Sequence, residues 1–214
     1  MLLVACKIQT HQIQVKMQAV NDQAPSQLVN VFAESILDGN AIYCNMSSVN
    51  KSVDVNLSIP EAIHAVKTAK PFSSGLREWV YASIQLFHSK NGMSESIFNG
   101  FTEGLNRWKR CKSVSKANNL FAVLIAPKQS ILIVFDECSS TVTIFDSHEH
   151  FDTHGSVIAQ TEIANLSTLC FFIERLYFDV HESCPYEMEL SFLERNDENP
   201  LIYIRKFIPF TSPD

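Results

Sequence analysis

Between Leu120 and Ser147 the chain reads "LFAVLIAPKQSILIVFDECSSTVTIFDS". Three runs rich in β-branched and aromatic residues stand out: "LFAVLIA" (Leu120 to Ala126), "SILIVFD" (Ser130 to Asp136) and "TVTIFDS" (Thr141 to Ser147). Only "PKQ" and "ECSS" separate them, and links this short favour an antiparallel meander.

Upstream, Ser94 precedes Ile97, Phe98, Phe101, Leu105 and Trp108 on one helical stripe, which predicts a serine-capped helix with a core face. Downstream, Leu166, Leu169, Cys170, Ile173 and Leu176 recur at helical spacing in "IANLSTLCFFIERLYF" (Ile163 to Phe178), making Cys170 a small buried hydrophobe. Nearer the start, "NDQAPS" (Asn21 to Ser26) is turn-rich. It leads into a core helix through Leu28, Phe32, Ser35 and Ile36, with Gly39 as a left-handed stop. "SVDVNLS" (Ser52 to Ser58) alternates like a strand, and "IPEAIHAVKTA" places Pro60 in the first turn of a helix. "EMELSFLER" and "LIYIRKFI" around "NDENP" read as a closing hairpin. Helices first, then a sheet with one helix inserted, give an α+β arrangement in a single domain over residues 1–214.

Composition excludes several functions. Seventeen Lys plus Arg against 23 Asp plus Glu give a formal charge of −6, and the longest basic run is "RWKRCK" (Arg107 to Lys112). A nucleic-acid groove is not expected, and that run reads as a solvated helix end. No apolar run approaches the ~18 residues of a membrane span, so no membrane partner is expected. The six cysteines, Cys6, Cys44, Cys111, Cys138, Cys170 and Cys184, are dispersed and suit free thiols in a reducing compartment. The expected location is intracellular, cytoplasmic or nuclear, where the sequons at Asn45, Asn56 and Asn165 carry no meaning.

The chemistry gathers where the third run ends. Asp146, His148 and His150 occupy alternate positions, with Asp152 and His154 close behind. On a strand, residues i and i+2 project from one face about 6.6 Å apart, so an aspartate can reach the imidazole two residues on. Such a contact fixes the tautomer, leaves the other ring nitrogen as a base and stabilises the imidazolium. This is the base and orienter that a nucleophilic site needs, to be completed by a Cys or Ser from another element, while the same triplet also reads as ordinary polar residues gathered where a strand becomes a loop.

"TIFDSHEHFDTHGSVIA" (Thr143 to Ala159) resembles the strand, Asp-x-His and following Gly segment of herpesvirus large-tegument-protein deubiquitinases and their cellular relatives, which are papain-like cysteine proteases. "VFAESILDGNAIY" is similar to that family's helix leading into a Gly-containing turn, and "VNLSIPEAI" to its short strand and Pro-started helix. "NLFAVLIAPKQSILIVFDECSSTVTIFDSHEH" is similar to its central strands, and the likeness spans residues 28–178. The resemblance implies a papain-like α+β fold and cleavage after the C-terminal glycine of ubiquitin or a ubiquitin-like modifier, with no cofactor. It implies Asp146 as orienting acid and His148 as base; Cys6 stands at the family's spacing for the nucleophile, while His150 and His154 have no assured counterpart and read as surface residues. No glutamine precedes Cys6, and Ile13, Val15 and Met17 alternate after it in "KIQTHQIQVKMQAV", suiting a strand or frayed segment. The nucleophile region is therefore expected to be atypical or shortened.

Cys44 is a second candidate thiol, and Cys138 is expected in an exposed turn. Two other functions stay open. His148 and His150 with Asp152 or His154 form a possible metal site, although no second His/Glu cluster supplies further ligands. A fold that has lost its thiol would instead be a module that binds a ubiquitin-like partner without cutting it, and Phe72, Trp79, Tyr81 and Phe87 are as compatible with core as with docking.

Overall fold

In a computed structural model the described residues are 1–17, 23–50, 57–69, 76–85, 92–111, 118–127, 129–150, 155–181 and 185–195. The order of elements is α1 (Leu2–His11), α2 (Ser26–Asn50), α3 (Ile59–Ala69), β1 (Leu76–Gln85), α4 (Gly92–Cys111), β2 (Asn119–Ala126), β3 (Gln129–Asp136), β4 (Thr141–His150), β5 (Gly155–Glu162), a 3₁₀ turn, α5 (Leu166–Val180) and β6 (Glu187–Arg195). The strands form one sheet in the order β1-β6-β2-β3-β4-β5, with every pairing antiparallel. The protein is α+β, and the meander over Leu120 to Ser147 is its centre.

Helices cover both faces, so the central strands are nearly continuous apolar runs rather than alternating ones. Leu120, Ala122 and Leu124 of β2 point to one face, where they meet Phe101 and Trp108 of α4 and Leu169 and Ile173 of α5. Phe121 and Val123 point to the other, joining Leu3 and Cys6 of α1, Phe32 of α2 and Val66 of α3. Fully burying a side chain such as Phe101 or Phe145 contributes about 1.5–3 kcal/mol. Gly104 lets α4 approach the sheet, because a Cβ there would overlap the Phe192 ring.

Several expectations change. Gly39 does not end its helix: α2 continues to Asn50, and the missing side chain faces Leu3 of α1. Tertiary packing outweighs the roughly 1 kcal/mol cost of glycine in a helix. Residues 2–11 are helical, since Leu3, Val4, Ala5 and Ile8 are buried; the alternation after Cys6 belongs only to the stretch beyond Gln12, where Ile13 and Val15 are buried. That stretch lies along β5, its Met17 N–H donating to Gln160 Oε1 at 2.9 Å while Gln160 Nε2 donates to the Val15 carbonyl at 2.9 Å. α4 begins at Gly92, two residues ahead of the expected Ser94 cap, and the Ser94 N–H donates to Glu174 Oε2 of α5 at 3.2 Å. β1 and β5 have no forerunner in the sequence reading. β6 matches "EMELSFLER" but pairs with β1 and β2, and its proposed partner "LIYIRKFI" lies outside the described residues, as does most of "SVDVNLS". Lys109 and Arg110 close α4 as exposed residues, in keeping with a solvated helix end.

Candidate active site

Strand β4 pairs regularly with β3 up to Ile131 opposite Asp146, and with β5 up to Asp146 opposite Val157. Pairing with β5 resumes only at His150 opposite Gly155, so four steps along β4 match two along β5. Such a bulge bends the strand and re-aims side chains. Here it lets one carboxylate reach both the second and the fourth residue after it.

Asp146 has no solvent exposure. Its Oδ1 accepts from the His148 backbone N–H at 3.0 Å and lies 2.8 Å from His148 Nδ1. Its Oδ2 accepts from Gln129 Nε2 at 2.7 Å and lies 3.1 Å from His150 Nε2. An ionised carboxylate only accepts, so both facing ring nitrogens carry protons and four donors meet its four lone-pair sites. Burial pushes the Asp146 carboxyl up, but the hydrogen bonds and charge of His148 and the Gln129 amide outweigh burial and hold it below the ordinary value. His148 is the accessible member, with its side chain 27% exposed. With the neutral ring's proton on Nδ1, the lone pair is on Nε2, the arrangement of an oriented general base.

The expected acid and base are thus brought together. Cys6 is not brought to them. Asp146 shares the sheet face of its partner Ile131, beneath α4 and α5, whereas Cys6 sits in the opposite layer with Leu132 and Phe145. Burial pushes its thiol up to about 11, against the opposing charges of the Met1 amine and Lys67, so it lacks the thiolate character of a nucleophile. The spacing ahead of "DGNAIY" matched, but α1 spends this residue on the core.

The remaining described thiols are no better placed. Cys44 and Cys111 are exposed on α2 and α4, and Cys138 is exposed in the turn that starts β4, at the far end of that strand from His148. Cys170 shares the face of Asp146 but is wholly buried, and burial pushes its thiol up to about 12. Cys184 lies outside the described residues.

His150 is not a surface residue: it is 1% exposed and held on Asp146. No group of three or more ligating side chains that could hold a metal ion occurs among the described residues, and Asp152 and His154, the further ligands of the metal arrangement, lie outside them. Trp79 is partly buried against the α4 and α5 face, Tyr81 is half-buried, and Phe72 and Phe87 lie outside the described residues. Sequence reasoning missed Gln129 as a site residue, because its relation to Asp146 exists only through the β3–β4 register. The alternate spacing of Asp146, His148 and His150 did carry a signal for His150.

No protein-family model matches the chain, and no curated protein matches it. Among solved structures, the Pseudomonas avirulence protein AvrPphB is similar, with a TM-score of 0.49 and 8% identity over 90% of this chain and 90% of that one.

Proposed function

We propose that this chain is a papain-like cysteine-protease-type domain directed at the C-terminal glycine of ubiquitin or a ubiquitin-like modifier, working inside the cell. The observation that carries the reading is the buried Asp146 carboxylate bound to Nδ1 of the partly exposed His148 ring. In the reaction a thiolate, its proton held by His148, attacks the carbonyl carbon of the terminal glycine, and His148 gives that proton to the departing lysine amine as the C–N bond breaks. Water, losing a proton to His148, then hydrolyses the thioester and returns the thiol. Asp146 holds the ring and balances the imidazolium throughout.

The position of Cys6 favours a second reading, in which the domain binds the modifier and cuts nothing. A ubiquitin probe bearing a thiol-reactive C-terminus separates the two when applied to the wild type and to Ala variants of each of the six cysteines. Labelling lost in a single Cys→Ala variant and in His148→Ala identifies an active enzyme and its nucleophile. Binding of ubiquitin with no labelling supports the module. Neither binding nor labelling by ubiquitin or any ubiquitin-like probe refutes both.

A further inference from the structure

Gln129 and His150 are both at least nine-tenths buried, and each turns one polar atom toward Asp146 Oδ2. Their other polar atoms, Gln129 Oε1 and His150 Nδ1, have no hydrogen-bond partner among the described residues. A buried acceptor left unmatched costs free energy, so this arrangement persists because the inward N–H of each residue is needed at the carboxylate. The terminal torsion of an aspartate is broad. Without donors on Oδ2 the carboxylate can rotate, and Oδ1 then leaves the position that accepts from both His148 donors.

Of the two, His150 constrains more. An amide can turn end for end, but a neutral imidazole beside a carboxylate must place its single proton on the facing nitrogen. We propose that His150 is a positioning residue: by donating from Nε2 to Asp146 Oδ2 it fixes the carboxylate so that neutral His148 keeps its proton on Nδ1. One aspartate therefore sets two histidines in opposite tautomers, His148 as Nδ1–H and His150 as Nε2–H. The bulge after Asp146 is what brings the fourth residue on within reach. The use of His148 as a base rests on the function proposed above, whereas the tautomers belong to the resting protein and need no substrate.

Ring ¹⁵N spectra of the full chain, labelled on histidine and recorded above the pH at which both rings lose their charge, test this directly. Wild type should show a protonated Nδ1 and bare Nε2 for His148, with the reverse for His150. His150→Leu should move His148 to a tautomer mixture, and His150→Gln, whose amide can again donate to Oδ2, should restore the wild-type pattern. A merely structural role would lower stability and leave the His148 tautomer alone. Wild-type His148 with its proton on Nε2 overturns the proposal, as does an unchanged His148 spectrum in a folded His150→Leu protein. Should His150→Leu fail to fold, a folded His150→Gln that loses the His148 Nδ1 proton also overturns it. A chain that reacts with no ubiquitin probe can still give the expected spectrum, so failure of the proposed function is seen separately.

Discussion

Replacing Asp146 by Ala removes an acceptor on which four hydrogen bonds converge. Two of the donors, Gln129 Nε2 and His150 Nε2, belong to residues that water does not reach. A buried unsatisfied donor costs ~1–3 kcal/mol, and two such donors are left here, so we expect Asp146→Ala to lose about 2–6 kcal/mol at pH 7. Asp146→Asn should lose only about 1–2 kcal/mol. Its Oδ1 still accepts from His148, and its amide meets Gln129, which can turn to present Oε1, and His150, which can change tautomer.

The pH dependence gives a second handle. The folded Asp146 carboxyl lies below its unfolded value of about 3.9. Its contribution is therefore complete above the unfolded value and is lost as pH falls through the folded one. The gap between wild type and Asp146→Ala should narrow as pH falls below about 4. Urea unfolding at a series of pH values measures it. A loss under about 1 kcal/mol at pH 7, or a gap that stays constant into acid, would refute the buried carboxylate as the centre of this network.

Gly104→Ala should destabilise by about 1–3 kcal/mol, because its Cβ overlaps Phe192, whereas Gly39→Ala should be neutral or stabilise by up to about 1 kcal/mol, its nearest neighbour being Leu3 Cδ1 at 3.8 Å. Thermal melts of the two check the sign difference. Alkylation of the native protein at pH 8, followed by peptide mass analysis, should modify Cys44, Cys111 and Cys138 well ahead of Cys6 and Cys170, whose thiols are buried and pushed up to about 11 and about 12; Cys6 reacting as fast as Cys44 would contradict its placement. Ser58→Ala should lower the melting temperature slightly, since the Ser58 hydroxyl no longer donates to Glu61 Oε2 at the start of α3, while the Ser58 N–H still donates to that oxygen at 2.9 Å.

The sequence by itself determined the elements whose order is local. Short links and uninterrupted β-branched runs dictated the β2–β3–β4 meander, and apolar spacing dictated α4 and α5 with Cys170 inside. It also placed Asp146 beside His148, because two residues of one strand lie within reach whatever else the chain does. Only the tertiary structure decided the rest. Gly39 inside a helix, the helical turn over residues 2–11 and the edge strand β5 depend on what packs against them, which no local pattern records. The same holds for the site: Gln129 meets Asp146 through strand register, His150 through a bulge, and Cys6 is parted from both by the thickness of a sheet. Spacing along the chain measures how far a residue can reach, and the sheet alone fixes on which face it arrives.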